Sequence, residues 1–321
     1  MIKIREYKPG DARGICELLN NHTSYLRDFD FWLWSNRVWP DESSVVVVAE
    51  EDQKIVGHYA ILPQNILIGG NEIQAGIGVH AFIDSAYRNE VPIFQISKRC
   101  YQIAKNKGIQ MLYGFPNENY RLIQEKVEGW KCVSVFNAYT KVLTKGLTKN
   151  FDSKELDYAV GQDCVELNDF LELHADRQLF GIYPTIKKWM DRYDKHPQNK
   201  YVTIFLSEGG VIIAAAVVKD YLDESSNTKV GHLIDCVIPS EITWDRVNLS
   251  LESYFSDRVS ELRHWPINKR FLRSLESMGY ADKGFSTFFG IKILDERLLK
   301  IEDELTDVSN WNLVMGMSDV F

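Results

Sequence analysis

Apolar and polar positions along this 321-residue chain follow two rhythms, and the clearest change between them falls at 76–108, GIGVHAFIDSAYRNEVPIFQISKRCYQIAKNKG. Residues 77–83 suit a buried strand and 84–90 a polar turn; Ile93, Ile96, Cys100 and Ile103 then recur at helical steps of three and four. Gly108 supplies the helix stop, with Lys105 and Lys107 against the negative end of the helix dipole. A strand, a short turn and a helix N-terminus leave unpaired N–H groups pointing outward, which suits an anion.

Before this corner, residues 2–7 read as a strand, and Pro9-Gly10-Asp11 turns into a helix with Ile15, Leu18 and Leu19 on one face and Asp11 as candidate N-cap. An aromatic cluster follows: Tyr25, Phe29, Phe31, Trp32, Trp34 and Trp39. It reads either as a plug packing helices onto a sheet or as an acceptor pocket of stacked rings. The valine-rich run 44–50 and residues 55–62 form a hairpin about Asp52-Gln53-Lys54, and a second hairpin turns at Gly69-Gly70-Asn71. Past the corner come a strand at 109–115, a helix after Pro116 with Tyr120, Ile123 and Val127 on its buried side, a stop at Gly129, and a strand at 130–143. The order predicts an α/β fold, a mixed sheet covered by helices.

This ending recurs 150 residues later: Phe115-Pro116 matches Trp265-Pro266, Leu122 matches Leu272, and Gly129-Trp130 matches Gly279-Tyr280. Upstream, a Gly209-Gly210 hairpin and a strand at 230–238 parallel the first half, followed by a helical pattern over 245–263. Ile186, Trp189, Met190 and Tyr193 mark a further amphipathic helix. These repeats predict a tandem arrangement, domains 1–146 and 155–321, with the linker within 144–154. The tail 311–321 is apolar to its last residue and is expected to dock on the body.

The first half resembles the acyl-CoA-binding core of the GNAT acyltransferase superfamily, and the whole chain resembles its two-domain members from bacteria and archaea. The resemblance rests on Phe31-Trp32-Leu33-Trp34, Ile55-Val56-Gly57, Tyr87-Arg88, Gly114-Phe115-Pro116-Asn117, Gly129-Trp130 and the tail. It implies a tandem GNAT fold with a degenerate second copy, where Pro239-Ser240-Glu241-Ile242-Thr243-Trp244 stands in place of the family's Arg-x-x-Gly-x-Gly turn. It implies an N-acetyltransferase using acetyl-CoA or another acyl-CoA, acting on a small amine such as an amino sugar. A catalytically silent GNAT-fold protein that binds a ligand or partner is the alternative. The implied cofactor-binding residues are Phe82, Ile83, Asp84, Arg88, Asn89, Glu90, Val91, Pro92, Ile93 and Asn119, with Val91 and Ile93 where the family has small residues. Proton transfer during N-acylation needs a base. Strand alternation places His80, Phe82 and Asp84 on one face and Val79, Ala81 and Ile83 on the other, so the candidate catalytic groups are His80, Asp84, Glu72 and the carboxylate of Phe321. Phe31, Trp32, Trp34 and His58 are candidate acceptor-binding residues. The family's tyrosine acid, four residues before the closing glycine, is Glu125 here.

Composition narrows the partners. Net charge is −8, which argues against nucleic acid or an anionic membrane. No apolar run nears the roughly 20 residues that span a bilayer. The five cysteines show no paired spacing, so no metal site is expected and a reducing cytoplasm is.

Overall fold

The computed structural model describes residues 1–21, 29–37, 44–90, 93–144 and 151–319. They form two compact units. Unit 1 comprises Met1–Ile66, Asn71–Val135 and Phe288–Val308; unit 2 comprises Leu67–Gly70, Phe136–Thr287 and Ser309–Phe321. Where the sequence suggests contiguous halves, 1–146 and 155–321, the units interleave along the chain. Strand β6 (Lys131–Val142) begins in unit 1 and ends in unit 2, and β12 (Ala281–Ile293) does the reverse. Strands of 12 and 13 residues extend about 40 Å, enough for their halves to serve different units.

Unit 1 opens with β1 (Lys3–Glu6), α1 (Asp11–Asn20) and α2 (Phe29–Arg37). The helix starts one residue earlier than the sequence suggests. Gly10 is the N-cap at φ 102°, and the Asp11 carboxylate instead takes the Arg5 guanidinium at 2.6 and 2.8 Å and the Lys8 N–H at 2.7 Å. β2 (Val45–Glu51) and β3 (Lys54–Ile68) are joined through Asp52 and Gln53, both at positive φ, the primed turn whose twist suits a tight hairpin. β4 (Asn71–Ile83), α3 (Ile93–Asn106), β5 (Met111–Gly114) and α4 (Glu118–Ile123) follow. The strand order is β1-β2-β3-β4-β5-β12-β6. One core lies under α3: Val45, Val47, Val56, Ile61, Ile96 and Cys100 belong to it.

Unit 2 repeats the succession: β7 (Phe151–Glu155), α5 (Gly161–His174), α6 (Ile186–Trp189), β8 (Val202–Glu208), β9 (Val211–Asp223), β10 (Thr228–Val237), α7 (Trp244–Phe255), β11 (Glu261–His264) and α8 (Lys269–Ser277). Its order is β12-β6-β11-β10-β9-β8-β7. The helix expected over 245–263 is therefore a helix and a strand. Leu262 fits both periodicities, and parallel pairing of Glu261–Arg263 with Val230–His232 decides for the strand. A second correction concerns Val127, which is 59% exposed. The turn Gln124–Glu128 is π-helical, so its phase shifts and Gln124 and Glu128 become the buried pair.

The tail docks on unit 2 as expected: Trp311, Leu313, Met315 and Met317 are buried, and Phe180 bridges to Trp311. Phe321 lies outside the described residues, as do Tyr25, Trp39 and most of the 144–154 linker. Among the described residues no helix is long and apolar enough to cross a membrane, and no group of His, Cys, Asp and Glu could hold a metal.

Candidate active site

The geometry of unit 1 turns on a single residue of β4. His80 has φ 55°, a left-handed conformation that costs a non-glycine residue energy and persists only where surroundings impose it. Before it, a Cβ on Gly76 or Gly78 would meet Ile61, Leu112, Tyr59 and Trp130, the core under α3. After it, Ala81 and Ile83 pack on that same core. Even positions face α3 before His80 and odd positions after it, so the strand changes phase there, as a bulge does. The expected alternation holds for Ala81 and Ile83 but not for Val79, which falls on the other side.

β4 and β5 run parallel only over Ala75–Ile77 and Met111–Tyr113, while β4 continues to Ile83. Three glycines sit side by side near the end of this ladder, Gly78 on β4, Gly114 on β5 and Gly290 on β12. The Trp130 indole lies 3.6 Å from where a Cβ would stand on each of them. A Cβ on Gly78 would also stand 2.4 Å from Tyr59 OH, so glycine is required there for packing rather than for φ, while at Gly114 and Gly290 a Cβ would only touch the indole.

On the other face, His58 is fully buried on β3, with Nδ1 3.0 Å from the His80 carbonyl oxygen and ring centroids 6.2 Å apart. His58 and His80 are thus brought together. At the strand end the Asp84 N–H donates to Val56 O at 2.9 Å, and its carboxylate accepts the Ala86 N–H at 3.0 Å and the Lys54 ammonium at 3.2 Å. Asp84 is the cap of a short 3₁₀ turn, Ser85–Tyr87. Arg88, Asn89 and Glu90 are exposed beyond that turn, and Arg88 Nε reaches Ile83 O at 3.4 Å. Ile93 packs against the core from the first turn of α3. Val91 and Pro92 are outside the described residues.

Other sequence candidates lie elsewhere. Glu72 sits near the start of β4, roughly 40 Å of extended strand from Asp84, and accepts a hydrogen bond from Asn65 at 2.8 Å. Trp32 stacks on Tyr7 at 5.4 Å and lines a hollow of about 390 Å³ with Val45, Ile103 and Lys107. Ile103 is ten residues along α3, about 15 Å from the helix start at the corner. Phe31 and Trp34 pair with each other at 5.7 Å. Asn117 caps α4 by accepting the Tyr120 N–H at 2.9 Å, and Asn119 is exposed in the first turn. Glu125, at the tyrosine position, pairs with Arg121 at 2.8 Å.

A polar network that no sequence motif signals joins α3 to the turn after α4. The buried Glu128 carboxylate accepts Ser97 Oγ at 2.6 Å, Tyr101 OH at 2.5 Å and Tyr120 OH at 3.3 Å, and Trp130 Nε1 donates to Tyr101 OH at 2.9 Å. Burial holds the Tyr59, Tyr101 and Tyr120 hydroxyls well above the usual phenol range, so all three stay protonated. The π-helical phase of Gln124–Glu128 brings Glu128 inward, and no pattern in single residues announces it.

The family model that matches is an acetyltransferase (GNAT) domain, over residues 3–126. No curated protein matches the sequence. Among solved structures, a conserved protein of Enterococcus faecalis V583 described as a probable N-acyltransferase aligns with TM-score 0.67 at 10% identity, over 92% of this chain and 73% of that one. A GCN5-related N-acetyltransferase from Anabaena variabilis gives 0.65 at 12%, over 92% and 74%. Saccharomyces cerevisiae N-myristoyltransferase with bound myristoyl-CoA gives 0.60 at 10%, over 90% and 82%. Residues 3–126 thus match an acetyltransferase (GNAT) domain, and the fold of these N-acyltransferase structures extends over about nine tenths of the chain.

Proposed function

We propose that unit 1 transfers an acyl group from an acyl-CoA, acetyl-CoA being the expected donor, to the amine of a small molecule such as an amino sugar. The observation that carries this is the bulge at His80 beside a β4–β5 ladder that stops at Ile77. It frees the strand end next to a helix N-terminus, where backbone N–H groups face an anion.

In this reading Arg88 and Asn89 meet the diphosphate, and Asn119 hydrogen-bonds an amide of the pantetheine arm. Phe82 and Ile83 supply the strand backbone for that arm. The Asp84 N–H is spent on Val56 O, and in this scheme the oxyanion donor is a backbone N–H of Phe82 or Ile83. His80 is the base for the acceptor amine, and the His58 ring, buried against the His80 carbonyl, orients that segment. The proton taken by His80 passes to the departing thiolate. Asp84 stays a turn residue in this scheme, and Glu72 has no part in it.

One observation favours the silent, ligand-binding reading: Glu125, where the family acid would stand, is held by Arg121. Calorimetric titration with acetyl-CoA and thiol release over a panel of amines separate the two. Arg88→Ala is expected to weaken acetyl-CoA binding at least tenfold with the fold unchanged. His80→Asn, chosen because Asn tolerates positive φ, is expected to keep binding and lose turnover. Binding without turnover on any amine selects the silent reading, and no binding of any acyl-CoA sinks both uses of the corner.

A further inference from the structure

Unit 2 lacks the Arg-x-x-Gly pattern between β10 and α7, yet its structure leaves a cavity of about 1010 Å³ at that place. Cys236 and Ile238 at the end of β10, Ile242 in the turn and Trp244 at the start of α7 give it an apolar wall, joined by Leu179 and Ile182 from the segment after α5. Ligand cavities of a few hundred to about 1,000 Å³ take drug-sized molecules, so this one has room for a ring system or a short chain.

A second wall is one face of α8. Lys269, Arg270, Arg273, Ser274 and Ser277 line the cavity at helical spacing. The three cations are exposed. Among the described residues none of them forms an ion pair. Like charges one turn apart repel, so an anion bridging them relieves repulsion and breaks no internal pair. The acidic residues at the same cavity have local tasks: Asp176 accepts the Gln178 N–H at 2.8 Å, Glu241 accepts Ser240 Oγ at 3.3 Å, and Asp245 sits in the first turn of α7, where its charge complements the helix end.

We propose that this cavity is a binding site for a small organic anion with an apolar body, its head held by Arg270 and Arg273 and its body by Trp244, Ile238 and Ile182. Guanidinium groups grip phosphate and carboxylate alike through paired N–H donors, so either head fits. The site is built from residues of unit 2 alone and does not depend on the acyl transfer proposed for unit 1.

The probe is 1-naphthyl phosphate, titrated into the full-length protein by calorimetry, with 1-naphthoate, 1-naphthol and inorganic phosphate alongside. One site per chain is expected, with the phosphate ester or the naphthoate at least tenfold tighter than naphthol or inorganic phosphate; whichever is tighter identifies the head. Arg270→Gln with Arg273→Gln is expected to weaken it at least tenfold at an unchanged thermal midpoint. Ile182→Trp, which fills the cavity without touching charge, is expected to do the same, while Arg88→Ala leaves binding intact. No saturable binding up to millimolar probe, equal affinity in both unit 2 variants, or loss in Arg88→Ala instead would each overturn the proposal.

Discussion

The end of β4 and the end of β10 share a backbone irregularity but surround it with different residues. Both strands pair in parallel with a short partner, through Ala75–Ile77 in one and Val230–His232 in the other, and both become irregular a few residues later, β4 by the positive φ of His80 and β10 by a register shift. At β4 the irregular residue is His80, followed by a turn whose Arg88, Asn89 and Glu90 face solvent. At β10 it lies between Leu233 and Asp235, and the Asp235 carboxylate is tied to Tyr193 OH at 2.9 Å and to the Cys236 N–H at 2.8 Å. The tail closes over it: a Cβ on Gly316 would stand 2.0 Å from Tyr193 OH. The same irregularity is thus held by different partners in the two units, the His58 ring at the His80 carbonyl and Tyr193 OH at the Asp235 carboxylate.

The largest expected difference between the units is in acid. Burial lowers His196, His232 and His264, all in unit 2, from 6.5 to about 3. Between those values the unfolded chain binds more protons, so their contribution is complete above pH 6.5 and is lost as pH falls toward 3. Asp235, raised by burial to about 6, acts the other way between 3.8 and 6, one group against three. In unit 1 the carboxylates Asp11, Glu50 and Asp295 have lowered values, so their contributions fade only below the ordinary carboxylate range. Hydrogen exchange at pH 5 against pH 7 should show β10 and β11 losing protection before β4 and β5. Equal loss would erase the contrast.

Next in size is the pair Trp130 and Tyr280, equivalent in sequence and both buried. Trp130→Ala removes an indole seated on three glycines and is expected to cost about 3–5 kcal/mol, read by denaturant unfolding with exchange loss confined to unit 1. Tyr280→Ala should loosen unit 2 instead. The smallest effect is at the caps, where the Asn117 and Asn268 side chains both accept N–H groups of the helix they start. Each Asn→Ala change is expected to cost about 1 kcal/mol; a much larger cost at Asn268 alone would show that it serves the cavity beside it as well.

Much of the architecture was legible along the chain because it is written in local periodicity. The valines of β2, the three-and-four spacing from Ile93 to Ile103 and the glycine stops at 108 and 129 act over a few residues, and the chain alone sets them. So does the recurrence of Pro116 and Gly129 at Pro266 and Gly279, which maps onto matching elements. Tertiary packing decided the rest. Residues 261–263 fit a helical pattern but pair with β10 as a strand, and Val127 fits a buried face but a π turn brings Glu128 inward to meet Ser97 and Tyr101, which arrive from a different helix. The phase change at His80, the removal of Glu72 and Trp32 from the corner, and the cavity beside α8 belong to the same class. Each depends on groups distant in sequence meeting in space, where burial and hydrogen bonding outweigh the few tenths of a kcal/mol by which one residue's local preference differs from another's.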